Sequence, residues 1–425
     1  MRYSVIIPTY NRSVQALLTL TAFEMQSFPM DAFEVVVVND GSTDDTLEQL
    51  LQCRKPYRLV IVSLHGTQGR SAARNAGVAA AQGDNLIFCD PDYLVTPRFL
   101  KVHADYLARF PNTVISGVPH MWKNIYAQYF PDFSEEERGA VSDVMRHNGL
   151  WSEAIQEQGR IVEIVTQDDV RRQSDTIARM IRPQEASAEV LHQYTTTDVA
   201  PWLLCVTRSM SMTREMFARA GGFHEPFKMY GFEDWELGYR LHRMGCPYVC
   251  IDEEIGYHQQ HPSAFRNTDV NGDNLRMGFR MHGVDDPELS MFAVCSPAED
   301  IFVYKNSLRL LHALRGSTSA AGRALAARLT ADIARVARLF VDSPQSPAYL
   351  EAKNALKQEL TRLTTGAAPP PQEAPTAAKP KRRRRRRRLR RGLKRRSRRG
   401  LKTAAGRRRR GRIARRQSGL GARFR

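Results

Sequence analysis

The chain reads as an α/β protein built on a parallel sheet with helices on both faces. Short Val- and Ile-rich runs alternate with helical segments near the amino terminus. Each run is closed by polar or turn residues. The 425 residues are 42% hydrophobic, enough for one large or two moderate cores.

Tyr3–Ile7, Glu34–Val38, Arg58–Ser63 and Asn85–Cys89 are the expected strands. Between them, one helical segment sets Leu17, Leu18, Thr21 and Met25 on a single face. A second starts near Ser42, where Asp45 three residues on suggests a capping box. A third runs from about Ser71 to Ala81, with Gly83 expected as its C-cap. This alternation implies strands joined by crossover helices. Residues 1–120 thus form a first α/β half. Residues 121–200 are polar and helical, an insertion or cover, and 201–300 form a second α/β portion. In the C-terminal stretch 301–365, Leu325, Leu329, Ile333, Val336 and Phe340 follow helical spacing, and Leu356, Leu360 and Leu363 mark another helix. Residues 366–380 are a Pro/Ala linker, and 381–425 an Arg-rich tail too poor in apolar residues to fold alone.

The formal charge of +18 has to be divided along the chain. Lys379–Arg425 holds 26 of the 63 Lys and Arg residues and no Asp or Glu. The remainder has 37 basic against 45 acidic residues, a net of −8, so the body is mildly acidic. No run of about 18 uncharged apolar residues occurs, and the start lacks the pattern of a signal peptide. The six scattered cysteines form no disulfide framework, which suits a reducing compartment. Cys246 and Cys250, with His242 nearby, lack a second ligand pair at zinc spacing and read as buried free thiols. A cytoplasmic location is expected, with the tail able to hold the protein at the inner face of a membrane.

In open parallel sheets, ligands bind beyond the carboxyl ends of the strands. Those ends here are Pro8-Thr-Tyr-Asn-Arg12, Asn39-Asp-Gly-Ser-Thr-Asp44, His65-Gly-Thr-Gln-Gly-Arg70 and Asp90-Pro-Asp92. Four polar ends in succession favour one shared site over four unrelated turns. Asp90 and Asp92 offer hard oxygens to Mg²⁺ or Mn²⁺, which can neutralise a diphosphate leaving group. The second portion supplies Gly221-Gly-Phe-His-Glu225 and Gly231-Phe-Glu-Asp-Trp235. Leu237 and Leu241 share a helical face, which sets Glu233 and Asp234 near that helix's N-terminus. Carboxylates there either complement the helix dipole or take a proton from an acceptor hydroxyl. Tyr257-His-Gln-Gln-His-Pro262 offers His258 as a nitrogen ligand.

The ordered set Val5-Ile-Ile-Pro-Thr-Tyr-Asn11, Val38-Asn-Asp-Gly-Ser-Thr-Asp44, Ala73-Arg-Asn-Ala-Gly77, Asp90-Pro-Asp92 and Gly221-Gly-Phe223 with Glu233-Asp234 resembles the family 2 inverting glycosyltransferases. The stretch from Gly231 through His258 is similar to the galactosyltransferase and chondroitin-polymerase type. The resemblance covers roughly residues 1–262 and implies a GT-A fold, a Rossmann-like nucleotide-binding sheet fused to an acceptor-binding α/β portion. It implies that Pro8, Thr9, Tyr10 and Asp40 hold the nucleoside, with Asp40 facing the base. Arg74 and Asn75 would lie near the diphosphate or donor sugar, and Asp90 would contact the donor or the metal shell. Asp92 and His258 would ligate Mn²⁺ or Mg²⁺. Asp234 would be the general base, with Glu233 and Trp235 binding the acceptor. The implied reaction is a single displacement that moves a hexosyl or N-acetylhexosaminyl group from a UDP-linked donor to a glycan or glycoconjugate hydroxyl.

A different class of function competes with this one. Lys381–Arg425 can bind anionic membrane or nucleic acid through charge, with a non-catalytic sugar-nucleotide-binding body as its scaffold. Phe424 is the only aromatic in the tail, which favours membrane over base stacking.

Overall fold

The computed structural model describes residues 2–228, 231–263 and 272–365. The linker and the Arg-rich tail, with the membrane or polyanion partner expected for it, lie outside the described residues.

The strands expected in the first half form and extend slightly: β1 (Tyr3–Thr9), β2 (Phe33–Asn39), β3 (Arg58–Ser63) and β4 (Asn85–Cys89). The chain then adds β5 (Tyr93–Val95), β6 (Val114–Ser116), β7 (Asn124–Ile125), β8 (Gln128–Tyr129), β9 (Val162–Glu163), β10 (Ser209–Thr213), β11 (Tyr248–Cys250) and β12 (Gly256–Gln259). The main sheet has the order β11-β6-β10-β4-β1-β2-β3. Strands β4, β1, β2 and β3 are mutually parallel, as expected. The whole sheet is mixed, however, because β10 runs antiparallel to both β4 and β6. A second sheet, β5-β12-β7, stands beside the carboxyl end of β4.

All seven residues of β1 and of β2 are buried, the mark of strands covered on both faces. Val5, Ile7, Val35, Val37 and Ile87 point to one face, where helix Ser13–Glu24 supplies Leu18, Leu20 and Phe23. Ile6, Val36, Val38, Leu86 and Phe88 point to the other, against Ala73 and Val78 of helix Arg70–Ala80. That second core continues through the second half into helices Ala320–Asp342 and Pro347–Thr365, with Leu329, Ile333, Val336, Leu356 and Leu360 buried. No described helix is long and apolar enough to cross a membrane.

Two local expectations fail for physical reasons. The helix after β2 starts at Thr46, not Ser42. The Ser42 hydroxyl accepts from the Asn11 N–H instead, and Asp44 accepts from the Thr46 N–H. Gly83 caps nothing, because the preceding helix already ends at Ala80 with Ala81 extended. It lets the chain run against β1, where a Cβ would lie 2.7 Å from the Ser4 hydroxyl. The cysteines are free thiols, yet Cys246 and Cys250 are half-buried rather than buried.

The helix Glu233–Arg243 is seated on the 3₁₀ turn Pro201–Leu204 through Gly238. A Cβ at Gly238 would stand 2.5 Å from Cys205 Cβ and 2.6 Å from the Trp202 carbonyl oxygen. Gly238→Ala should therefore destabilise the fold by about 1–3 kcal/mol, as overpacking does. Urea unfolding checks this, and an unchanged midpoint would mean that the helix is not seated there.

Candidate active site

The loops at the carboxyl ends of β1, β2 and β3 are laced together by their polar side chains. Asn11, left-handed at φ 50°, accepts from the Thr43 N–H at 2.8 Å and donates to the Thr43 hydroxyl. Asp40 accepts from the Gln68 and Gly69 N–H groups at 2.7 and 2.9 Å, so its carboxylate holds the loop that leads into helix Arg70–Ala80. Pro8 and Thr9 are buried at the end of β1, and Tyr10 beside them is exposed. The buried Thr9 hydroxyl has no hydrogen-bond partner.

Asn75 joins the two halves of the body. Its Nδ2 donates to the Phe223 carbonyl at 2.8 Å and its Oδ1 accepts from the Phe223 N–H at 2.9 Å. Both ends of the amide thus meet the Gly-Gly-Phe loop, and Nδ2 also lies 3.1 Å from a Glu225 carboxylate oxygen. Arg74, which is buried, reaches the same junction. Its Nη1 donates to Glu233 at 3.1 Å and its Nη2 lies 3.7 Å from Asp90.

Asp92 stands one residue before β5, and β5 pairs antiparallel with β12. The Gln259 N–H donates to the Asp92 carbonyl, and His258 sits opposite Tyr93. This register brings the ring nitrogens of His258 and His261 to 3.8 and 3.3 Å from the Asp92 carboxylate. The three residues are buried, with ligand atoms all within 4.8 Å of one another. His261 Nδ1 faces the Pro262 carbonyl oxygen at 3.0 Å, and His258 Nδ1 faces Asn124 Oδ1 at 3.3 Å. Those oxygens favour the proton on Nδ1 and turn the Nε2 lone pairs towards the carboxylate. Two lone pairs and an anion converging in a buried space fit a divalent cation. Burial alone would raise the Asp92 carboxyl, but the positive charge of the facing imidazoles in their protonated form, His258 first, outweighs it and holds it far below the usual range. A cation between them would take the place of those protons.

His261 was not singled out among the candidate ligands in the sequence, although it stands three residues after His258 in the same short string. Asp90 lies outside the cluster, between Arg74 and Arg208, a second residue the sequence did not reveal.

Glu233 and Asp234 open the helix Glu233–Arg243, entered through Phe232 at φ 75°. Such a conformation costs energy in a bulky residue, and packing on Phe227 and Phe292 holds it. Glu233 is buried and accepts from the Gly231 N–H as well as from Arg74. Asp234 accepts from the Trp235 N–H at 2.9 Å and, more weakly, the Thr207 N–H at 3.4 Å. Burial first, and Glu233 second, push the Asp234 carboxyl up to about 7, against the opposing pull of Arg74. A carboxyl of that strength can exchange a proton near neutrality. The Trp235 indole N–H donates to the Leu203 carbonyl and its ring packs on Phe292. Behind the helix, the buried Glu236 accepts from Arg240 and faces His282 at 2.8 Å. Arg240 also donates to the Gly222 carbonyl.

Residues 4–141 match the family model described as "Glycosyl transferase family 2", and residues 203–262 match "N-terminal domain of galactosyltransferase". The chain is 29% identical over 275 residues to a protein of Bacillus subtilis described as an uncharacterized glycosyltransferase, YfnE, covering 63% of this chain and 67% of that one. It is 31% identical over 269 residues to validoxylamine A glucosyltransferase of Streptomyces hygroscopicus subsp. jinggangensis, covering 61% and 55%. It is 26% identical over 272 residues to chondroitin synthase of Escherichia coli, covering 63% and 36%. The matches thus span from about a third to two thirds of the length of these relatives.

The histidine–carboxylate cluster makes a direct binding prediction. Mn²⁺ should bind the full chain in the presence of UDP, read by calorimetry or by loss of the free-ion resonance signal. Loss of an outer partner weakens metal binding about 10–100-fold, so Asp92→Ala or His261→Ala should cost at least about tenfold. Unchanged affinity in both variants would remove these residues from the metal.

Proposed function

We propose that this chain, which carries a family 2 glycosyltransferase module at residues 4–141, moves a sugar from a UDP-linked donor to an acceptor hydroxyl with inversion. The observation that carries this reading is the meeting, at one sheet edge, of a buried Asp92-His258-His261 cluster with a carboxyl that titrates near neutrality. The mixed nitrogen and oxygen donor set favours Mn²⁺ over Mg²⁺, which prefers oxygen alone. A divalent ion held by Asp92, His258 and His261 would neutralise charge on the departing diphosphate.

The remaining roles belong to the chain itself. Pro8, Thr9 and Tyr10 would line the nucleoside, with Thr9 offering its unpartnered hydroxyl. Asp40 would shape that pocket through the loop it holds. Asp234 would take the proton from the acceptor hydroxyl as that oxygen bonds to the anomeric carbon. The bond from that carbon to the diphosphate oxygen breaks on the opposite side, which inverts the centre. Glu233, paired with Arg74, would orient the acceptor, and the half-buried ring of Trp235 would border it. A relative named for glucosyl transfer and another for chondroitin synthesis favour a hexosyl or N-acetylhexosaminyl group.

The direct test is UDP release from a panel of UDP-sugars with Mn²⁺ and saccharide acceptors. Absence of UDP release with every donor would overturn the reading. The pH profile is a second check. The competent form of Asp234 is the carboxylate, which is lost below its pKa of about 7. Turnover should therefore rise through about pH 7 with the loss of one proton. Asp234→Asn should abolish that limb and cost on the order of 10²–10⁴ in rate while UDP binding persists. Because Arg74 favours the ionised form, Arg74→Gln should move the limb to higher pH. A wild-type profile flat from pH 5 to 9 would return Asp234 to a helix-end carboxylate.

A further inference from the structure

Arg208 is neither in the Asp92-His258-His261 cluster nor a partner of the Asp234 carboxylate, yet it occupies a central place. It lies in the turn before β10, directly after Thr207, whose N–H faces Asp234. Its own carbonyl accepts from the Asp90 N–H, and its guanidinium donates to the Met121 carbonyl. Its Nε stands 3.8 Å from one Asp90 oxygen, while Arg74 Nη2 stands 3.7 Å from the other. Both separations exceed hydrogen-bond reach. The Nε atoms of Arg74 and Arg208 are buried and have no hydrogen-bond acceptor. Asp90 keeps 26% of its side chain exposed, so the clamp opens outward.

Buried guanidinium N–H groups without acceptors are costly, and their geometry indicates what would satisfy them. A group entering between these arginines and Asp90 must accept from a guanidinium and donate to a carboxylate. A phosphate at neutral pH chiefly accepts and would be repelled by Asp90. An apolar group would leave every partner unsatisfied. A hydroxyl does both. The location agrees: Asp90 lies two residues from Asp92 on one side, and Arg208 adjoins the Asp234 contact on the other. A sugar joined to the leaving diphosphate and facing the acceptor has to lie between those two points.

We propose that Arg208, together with Asp90, reads a hydroxyl of the transferred sugar and sets the choice of donor. This rests on the glycosyl-transfer reading and adds to it a residue that decides specificity. A site built to bond a hydroxyl rejects an analogue lacking it, here by about 10²-fold or more. The test measures binding of a UDP-sugar panel, including deoxy and epimeric donors, by calorimetry with Mn²⁺, to the full chain and to Arg208→Gln. UDP alone is titrated in parallel.

In the wild type, one hydroxyl should account for the preference among donors. In Arg208→Gln that preference should shrink at least about tenfold, with UDP affinity changed by less than about twofold. Arg208→Lys keeps the charge without the planar fork and should fall between the two. It also serves as the variant of record if Arg208→Gln does not fold. Equal weakening of UDP and of every donor would assign Arg208 to the diphosphate or to the scaffold and overturn the proposal, as would undiminished selectivity in both variants. Because the readout is binding, selective donor binding without UDP release would sink the transfer reading while supporting the assignment of Arg208.

Discussion

A guanidinium taken out of water has to be matched by carboxylates, and Arg74 is matched from two sides of the body. Glu233 comes from the helix of the second half, and Asp90 from the end of β4 in the first. Removing one partner of such a buried pair typically costs about 3–5 kcal/mol, so neither half can drift without exposing an uncompensated charge. Asn75, one residue on, reinforces the junction by closing both ends of its amide on Phe223. The first and second halves are thus bolted together by two adjacent residues of one helix. The distance between the Asp92-His258-His261 cluster and Asp234 follows from that joint.

The same joint governs the electrostatics. Four carboxyl groups, Asp90, Asp92, Glu233 and Asp234, crowd one sheet edge, and like charges so close cannot all ionise cheaply. The structure separates them by their partners. Asp92 faces two histidines and is held ionised. Glu233 bonds Arg74 directly, and Asp90 sits between Arg74 and Arg208 at longer range. Asp234 has only backbone N–H partners and a distant share of Arg74, so burial prevails and raises it. Four carboxyl groups of similar intrinsic acidity become chemically distinct through placement.

Rigidity around the site comes from packing that tolerates no extra atoms. Gly238 seats the helix that carries Asp234, and Phe232 enters that helix in a left-handed conformation held by aromatic neighbours. Strain of this kind persists only where surrounding contacts over-determine it. Here it turns the first turn of the helix, with both carboxylates, towards the strand ends.

Periodicity and strand-end chemistry were local properties, and they were legible in the residues. The Val and Ile runs of β1 to β4 had to be strands, buried in β1, β2 and most of β4 and half-buried in β3 at the sheet edge, and the polar residues closing them had to gather at one edge. The helical spacing of Leu329, Ile333, Val336 and Phe340 likewise follows from burial on one side of a helix. Tertiary structure decided what depends on pairing between distant segments. His261 joins Asp92 only because β12 pairs antiparallel with β5, a register formed across more than 150 residues of sequence. Arg208 meets Asp90 only because β10 inserts antiparallel beside β4. Asn75 serves the joint because the Gly-Gly-Phe loop folds back onto it. Local sequence records which side chains a segment offers. Which of them become neighbours is set by the burial and hydrogen bonding of the whole sheet, and no single segment carries that information.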